Sequence, residues 1–329
     1  MSSTVDSDVI LKAKNLQKWF PIGRGLIKRI KTYVHAVDGV DFSIRRGEIL
    51  GLVGESGSGK TTIGRLLVKL IEPTSGHLYF DNKDISDLNS KETKILRREA
   101  QIIFQDPYDS LNPRMMNFDI VTEPLVVHKI TRNLGDIHRM AYNALKETEL
   151  IPPANFYYRY PHELSGGQRQ RLAIARALIL HPKFIVADEP VSMLDASIRG
   201  QVLNLILKLR EEFNITILFI THELTVARHL CDRIAVMYLG KIVEIGSTED
   251  IIHKNKHPYT KALIAAVPRP DPSIGFYIPT ETWEAQNAIN PPSGCRFRPR
   301  CPNRSKKCEF DEPKLVEIGD EHYVACHEL

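Results

Sequence analysis

The fold of this 329-residue chain is decided by the stretch Ile49-Leu50-Gly51-Leu52-Val53-Gly54-Glu55-Ser56-Gly57-Ser58-Gly59-Lys60-Thr61. Its first five residues are typical of a buried parallel strand, and residues 62–70 have helical apolar spacing. The glycines let successive backbone N–H groups turn toward a polyphosphate, and the N-terminus of the following helix adds partial positive charge. The stretch therefore predicts a nucleotide-binding loop in an α/β fold with a mainly parallel sheet.

The end of this loop carries the chemistry. Lys60 can reach the β- and γ-phosphates, and the Thr61 hydroxyl can bind Mg²⁺. An ordinary glycine-rich strand-to-helix turn is the alternative, and the Lys-Thr pair in this setting argues against it. The residues predicted to bind nucleotide are Gly54, Glu55, Ser56, Gly57, Ser58, Gly59, Lys60, Thr61 and Thr62.

Two further apolar runs end in polar residues. Residues 184–187 precede Asp188 and Glu189, at the strand end where open α/β sheets bind ligands. Asp188 is predicted to bind Mg²⁺, and Glu189 is predicted to polarise the attacking water as the general base. Residues 215–220 lead to His222, which in this order becomes a candidate contact to the γ-phosphate.

Between these segments lies Leu164-Ser165-Gly166-Gly167-Gln168, which has no evident role in its own chain. It matches the signature of the nucleotide-binding subunits of ABC transporters, and the chain resembles that family over roughly residues 9–268. The resemblance implies an ATP-binding and ATP-hydrolysing subunit that meets a second ATPase subunit head to tail. Ser165, Gly166, Gly167 and Gln168 would then contact the γ-phosphate of ATP bound to the partner's loop.

The resemblance assigns three further positions. Gln105 matches the Q-loop glutamine, which implies contact with Mg²⁺ and water and a link to the membrane subunits. Asp195, in Ser192-Met193-Leu194-Asp195, matches the D-loop that crosses the dimer seam. His222 matches the switch histidine. The family's fold adds an antiparallel β subdomain and an inserted helical subdomain to the P-loop NTPase core.

The adenine-stacking aromatic is sought near the N-terminus. Aligning residues 15–20 with the family's N-terminal segment favours Phe20. Trp19 and Tyr33 are the alternatives.

Two stretches resemble the oligopeptide/dipeptide importer branch of the family, residues 189–198 and His257-Pro258-Tyr259-Thr260-Lys261-Ala262-Leu263. This resemblance implies a heterodimer with a second ATPase, two permease subunits and an extracytoplasmic binding protein, with the chain peripheral on the cytoplasmic face of the cell membrane. The cargo class would be oligopeptides or dipeptides, or related cargo such as oligosaccharides or nickel. Because the permeases and the binding protein select the cargo, this sequence does not identify it.

Four of the five cysteines lie in the last 35 residues, with the spacing C-x5-C-x6-C-x17-C. Clustered thiols without a secretory signal favour metal binding over disulfides. Zinc sites usually contain C-x2-4-C pairs, which this tail lacks, and four cysteines held by loops suit a [4Fe–4S] cluster equally well. Members of the oligopeptide branch carry such an extension, and some bind a [4Fe–4S] cluster there, so the resemblance favours the cluster, with zinc or free thiols as alternatives. The expected ligands are Cys295, Cys301, Cys308 and Cys326.

Composition sets the remaining limits. The hydrophobic fraction of 43% supports a real core, and a net charge of +4 is too mild to imply nucleic acid. The domains expected are 1–95 with 181–250 as the ATPase core, 96–180 as the Q-loop and helical subdomain, and 251–329 as the extension. Two other functions stay open: a non-transport ABC ATPase of translation or DNA repair, and a nucleic-acid-binding module built on the cysteine tail.

Overall fold

The structure is a computed structural model that describes residues 8–22, 32–267, 288–289 and 291–329. Residues 268–287 and 290, which belong to the expected extension, lie outside the described residues. The described chain forms two compact units. The first comprises the described parts of Met1–Ser86 and Phe219–Leu329, and the second is Asp87–Leu218.

In chain order, the strands are β1 Val9–Ile22, β2 Thr32–Arg45, β3 Ile49–Val53, β4 Ser75–Phe80, β5 Lys83–Asp84, β6 Ala100–Ile103, β7 Phe184–Asp188, β8 Thr216–Thr221, β9 Arg233–Tyr238, β10 Lys241–Ser247, β11 Val316–Gly319 and β12 His322–Val324.

The helices, in the same order, are α1 Lys60–Leu67, α2 Ser90–Glu99, α3 Pro107–Ser110, α4 Asn117–Val127, α5 Leu134–Glu147, α6 Ala154–Tyr157, α7 Gly166–Leu178, α8 Ala196–Phe213, α9 Leu224–Leu230, α10 Thr248–His253, α11 Pro258–Ala265 and α12 Lys307–Phe310, with short 3-10 helices at Pro161–Glu163 and Arg298–Arg300. Among the described residues, no helix combines the length and the apolar character needed to cross a membrane.

The first unit contains the antiparallel subdomain that the family resemblance implies. Its strands are ordered β2-β1-β4-β5, and every neighbouring pair is antiparallel. Residues of β1 alternate across the sheet, with Leu11 and Ala13 buried and Lys12 and Lys14 exposed, as expected where one sheet face meets a core.

A second group of strands in the first unit carries the nucleotide-binding loop. β3 pairs in parallel with β9, and every residue of both strands is buried. A strand buried on both faces reads as a continuous apolar run, which is why residues 49–53 could be recognised in the sequence. β9 continues through antiparallel pairing to β10, then to β12 and β11, so the last strands of the chain join this sheet.

The helix after the loop is shorter than its apolar spacing predicts. The spacing extends to residue 70, but α1 ends at Leu67. Lys69 takes a left-handed backbone (φ 53°), and the N–H groups of Lys69 and Leu70 donate back to the carbonyls of Leu66 and Arg65. This pair of hydrogen bonds is a Schellman motif. It ends the helix even though the next residues are apolar.

The second unit combines a parallel strand pair with a helical cluster. β6 pairs in parallel with β7, with Ile102 opposite Val186. The helical cluster packs fully buried residues of α4, α5 and α7, including Val121, Leu145 and Leu172. The sequence predicts a helix face over residues 136–150, and the observed helix, α5, starts two residues earlier at Leu134 because Asn133 caps it through its side chain.

Candidate active site

The loop between β3 and α1 is closely packed against its own unit. A Cβ atom at Gly54 would lie 2.1 Å from the Met237 carbonyl oxygen, and one at Gly59 would lie 2.0 Å from that of Ala36. Gly59 also has a φ of 109°, a region that side-chain-bearing residues rarely adopt. Both glycines are therefore required by close backbone contacts, and Gly59 also by its backbone conformation.

Lys60 is buried at the base of this loop. Its Nζ atom donates to the carbonyl oxygens of Gly54 and Glu55, at 2.8 Å in each case. The side chain thus folds back over the loop that the sequence predicts to bind phosphate. Both carbonyls belong to the loop itself, so the position of Lys60 depends on the conformation of residues 54 and 55.

Glu55 makes contacts through three of its groups. Its N–H donates to the Tyr259 hydroxyl at 2.9 Å, and its carbonyl accepts from Lys60. Its carboxylate accepts two hydrogen bonds from the Arg300 guanidinium, at 2.8 and 2.9 Å. The sequence pattern assigns Glu55 only to the nucleotide and does not reveal Tyr259 or Arg300 as neighbours of the loop.

The aromatic residues near the N-terminus differ in their surroundings. Trp19 Nε1 donates to Asp38 at 2.9 Å, and its ring lies 4.3 Å from the ring of His35 between centroids. Phe20 and Tyr33 are both partly exposed, at 38% and 37%. Exposure leaves Phe20 and Tyr33 accessible to an adenine, whereas Trp19 is tied to Asp38.

Asp38 is a hub in the same region. It accepts hydrogen bonds from Trp19 and His35 and forms an ion pair with Arg296 of the C-terminal extension. Burial acts to raise the Asp38 pKa, but the charges of Arg296 and Lys241 and these hydrogen bonds outweigh it, so the pKa is lowered. Asp38 is therefore an anion, and one of its partners, Arg296, lies 258 residues away in the sequence.

In the second unit, Gln105 and the candidate base Glu189 lie together. Gln105 Nε2 donates to Glu189 Oε2 at 3.1 Å. Asp188, at the end of β7, is buried. Glu189 has a φ of 45°, and its carbonyl accepts from the backbone and the hydroxyl of Ser192 at 3.2 and 3.0 Å. A left-handed conformation at a glutamate is unusual, and such strain clusters at functional sites.

The signature segment forms the start of α7. Ser165 is the N-cap: its hydroxyl accepts from the Gln168 N–H at 3.3 Å, and the Gln168 side chain accepts from the Ser165 N–H at 3.1 Å. This reciprocal capping box fixes the first turn of a 13-residue helix. A Cβ at Gly167 would lie 2.6 Å from Ile198 Cγ2, so the small residue allows α8 to approach closely.

The remaining candidates have simple positions. Asp195 is exposed at the N-cap of α8. His222 is exposed directly after β8, in the turn where the Glu223 N–H donates to the Thr221 hydroxyl. The structure thus places the loop, Phe20 and His222 in the first unit. It places Gln105, the signature, Asp188, Glu189 and Asp195 in the second.

The four clustered cysteines all lie in the C-terminal extension. All four thiols are free, and Cys295 N–H donates to the Cys308 carbonyl at 2.9 Å. Burial raises the pKa of Cys295 to about 11, and burial also raises the pKa values of Cys301 and Cys326. Within the described ranges, however, no three His, Cys, Asp or Glu side chains are placed to hold one metal ion.

The arginines around these cysteines are not equivalent. Arg296 pairs with Asp38, and Arg300 pairs with Glu55, although the sequence shows both only as members of a basic run. Arg298 lies between them and donates to the carbonyls of Ser293 and Glu309, within the extension. Arg296 and Arg300 are therefore not solvated surface charges, because both side chains are buried against carboxylates.

Comparisons with known proteins agree with this geometry. Residues 37–192 match the family model "ABC transporter", and residues 243–308 match "Oligopeptide/dipeptide transporter, C-terminal region". The oligopeptide transport ATP-binding protein AppF of Bacillus subtilis is 44% identical over 99% of both chains. The dipeptide transport ATP-binding protein DppF of Haemophilus influenzae is 45% identical over 97% of both chains.

A solved structure supports the fold. The dimeric post-hydrolysis structure of the ATP-binding cassette MJ0796 with ADP and Pi is 32% identical and aligns with a TM-score of 0.64, covering 73% of this chain and 99% of that one. The shared fold is the ABC ATPase P-loop fold, with a mixed, mainly parallel sheet and an antiparallel subdomain. The chain therefore belongs to the ATP-binding proteins of the oligopeptide/dipeptide branch of ABC transporters, and its activity is that of an ABC transporter ATPase.

Proposed function

We propose that this chain is one of two ATPase subunits that power an importer of oligopeptides or dipeptides. The observation that carries this proposal is the match of residues 243–308 to the oligopeptide/dipeptide C-terminal region, beside full-length similarity to AppF and DppF. Two permease subunits would hold the chain at the cytoplasmic face of the cell membrane. An extracytoplasmic binding protein would deliver the cargo to them.

The ATP chemistry is assigned residue by residue. Lys60 and the backbone N–H groups of residues 54–61 would bind the phosphates, and Thr61 and Asp188 would bind Mg²⁺. Glu189 would polarise the attacking water, and its hydrogen bond with Gln105 supports a shared role for these two side chains. His222 would contact the γ-phosphate, and Phe20 would stack on adenine.

The signature is proposed to serve the ATP bound by the partner subunit. The N-terminus of α7 presents Ser165 and the backbone N–H groups of Gly166 and Gly167, which suit an anion. The dimeric state of the MJ0796 cassette supports a similar sandwich in this protein. Asp195, exposed at the start of α8, would lie at the seam.

Uptake in membrane vesicles tests the proposal. The chain, its partner ATPase and two permeases would be purified together, and ATP-dependent accumulation of labelled di- and oligopeptides would be measured. Peptide accumulation that needs ATP and the binding protein is expected. Recovery of the chain only with ribosomes or DNA would contradict a role in import. Accumulation of nickel or oligosaccharide alone would show that the cargo is one of these and not a peptide.

We also propose that Cys295, Cys301, Cys308 and Cys326 bind a [4Fe–4S] cluster. Soft thiolate donors suit such a cluster, and the presence of four cysteines in one short C-terminal region supports a common ligand. When bound, the cluster would supply one-electron redox chemistry and would link the segments that carry its ligands. The turn at Arg298–Arg300 lies directly before Cys301, and Cys308 lies in α12.

Iron and acid-labile sulfide measured on the anaerobically purified full chain test the cluster. Four of each per chain are expected, with loss in Cys326→Ser and no change in Cys231→Ser, since Cys231 lies in the core outside the extension. Zinc without iron, or neither element, would overturn the proposal.

A further inference from the structure

We infer that Arg300 is a positioning residue for the phosphate-binding loop. Through Glu55 it couples ATP binding to the conformation of the cysteine-bearing segment, residues 291–310. The inference rests on ATP binding by this family and on neither the proposed cargo nor the proposed cluster. It joins two parts of the chain that the sequence treats as separate domains.

The contact is a two-pronged ion pair. Arg300 Nη1 and Nη2 donate to the two Glu55 carboxylate oxygens at 2.9 and 2.8 Å. A guanidinium that bonds both oxygens of a carboxylate fixes its orientation as well as its charge, which a lysine does not. The Arg300 side chain is 8% exposed and that of Glu55 is 41% exposed, so the segment supplies the rigid partner.

Aromatic packing holds Arg300 in place. Its guanidinium lies 5.5 Å from the Tyr238 ring and 5.7 Å from the Phe297 ring. Tyr238 and Phe297 meet edge to face at 5.3 Å, and both contact Tyr259. Because the Tyr259 hydroxyl also accepts the Glu55 N–H, the same packed group holds both the backbone and the carboxylate of Glu55.

Glu55 transmits this restraint to the phosphate site. Its carbonyl is one of the two loop carbonyls that receive Lys60 Nζ. A movement of residue 55 therefore moves an acceptor of the lysine that is predicted to bind the γ-phosphate. The segment, Arg300, Glu55 and Lys60 form one continuous series of contacts inside the first unit.

A coupling of this kind must be reciprocal. If the segment's conformation favours the loop that binds ATP, ATP must favour that conformation of the segment by the same factor. Cys301 follows Arg300 directly, so in protein shown by analysis to hold neither iron nor zinc, its availability to a maleimide reports opening of the segment. Cys231 is buried outside the segment and reports only global unfolding.

The variants separate the contact from the stability of the segment. Arg300→Gln removes the positive charge and the bidentate hydrogen bonding, whereas Arg300→Lys keeps the charge. Glu55→Gln removes the negative charge of the partner. Arg298→Gln is the matched control, since Arg298 lies in the same 3-10 turn but donates to carbonyls of the segment and not to the loop. The double variant Arg300→Gln/Glu55→Gln tests whether the two residues act as a pair.

Two quantities are measured on the full chain: the Kd of a non-hydrolysable ATP analogue, and the slowing of Cys301 modification by that analogue. Arg300→Gln is expected to weaken binding about fivefold and to reduce the protection of Cys301 by a similar factor. Arg300→Lys should recover part of both effects, and Arg298→Gln should change neither.

Two results would overturn the inference. One is an Arg300→Gln protein that matches Arg298→Gln in both measurements. The other is a double variant whose loss equals the sum of the two single losses, since a direct pair gives less than that sum. If Arg300→Gln unfolds, shown by early modification of Cys231, Glu55→Gln alone decides, and unchanged Cys301 protection in it rejects the coupling.

Discussion

The Gln105 side-chain amide donates to the Glu189 carboxylate, with 3.1 Å between Nε2 and Oε2, across 84 residues of sequence. Glu189 holds its position with a left-handed backbone, and Ser192 binds its carbonyl. The candidate base is therefore oriented both by its own strained turn and by a side chain that follows the end of β6. Its orientation depends on a segment that the family resemblance links to the membrane subunits.

Glu189→Gln should bind ATP normally but hydrolyse it about 10²- to 10⁴-fold more slowly, because an amide cannot accept the proton of the attacking water. Phosphate release and nucleotide Kd, measured on the complex with the partner subunit, distinguish the two steps. Glu211→Gln, an exposed change on α8, is the control and should keep wild-type turnover. Hydrolysis at the wild-type rate in Glu189→Gln would show that another group is the base.

Gln105→Ala should lower kcat about tenfold and leave the nucleotide Kd within about twofold, since it removes a hydrogen bond that orients Glu189 while leaving the loop of β3 and α1 intact. Steady-state hydrolysis and equilibrium binding check the two values. Gln101→Ala is the matched control, because Gln101 lies on the strand before Gln105 and bonds the Arg97 carbonyl. Equal losses in both glutamine variants would indicate damage to β6 in place of a role at Glu189.

Gly167→Ala should destabilise the protein by about 1–3 kcal/mol, since the new methyl group would overlap Ile198 Cγ2. Denaturant unfolding measures the change. Gly166→Ala is the control: its Cβ would lie 3.5 Å from Leu194, which is ordinary contact. Adding Ile198→Ala to Gly167→Ala should restore part of the loss, and no restoration would mean that the strain lies elsewhere.

His257 should make stability fall on acidification. Burial lowers its pKa to about 4, and its neutral Nδ1 accepts the Tyr259 N–H at 3.1 Å. The unfolded chain, in which the pKa is near 6.5, binds the proton first as pH falls, so the stabilisation present above about pH 6.5 is lost progressively toward about pH 4. The loss attributable to this group at pH 5 is on the order of 2 kcal/mol.

Comparison of unfolding free energies at pH 7 and pH 5 checks this effect. His257→Asn is the informative variant, because asparagine can still cap α11 but does not titrate. It should reduce the difference between the two pH values by about the amount assigned to His257. An unchanged difference would assign the acid sensitivity to other groups.

The features of this protein that can be predicted from sequence are those set by short local sequence patterns. The apolar run at β3, the glycines before Lys60 and the acids at the end of β7 are each readable within a dozen or so residues. The Schellman motif at Lys69 cannot be predicted in this way, because no local sequence pattern indicates a lysine in the left-handed conformation. The Lys69 side chain is buried and donates to the Ser86 carbonyl at 3.0 Å, a contact that the local sequence does not reveal.

The arginines of the extension also make contacts that local sequence does not reveal, in two cases with residues far away in the chain. Arg296, Arg298 and Arg300 alternate in one short run and look alike in sequence. Their partners, Asp38, the segment's own carbonyls and Glu55, are set by folding, and Glu55 lies 245 residues away from Arg300. Only the pairing of chain segments distinguishes a positioning residue from a surface charge.

The capping box of Ser165 and Gln168 has a consequence for the energetics of assembly. Both side chains already satisfy backbone donors at the start of α7, so this turn is ordered within the single chain. The Ser165 hydroxyl accepts with a lone pair and still has its hydrogen to donate. A phosphate that binds there, as proposed, would therefore meet a turn that is already ordered, because the entropy of fixing that turn is lost during folding and before any partner is bound.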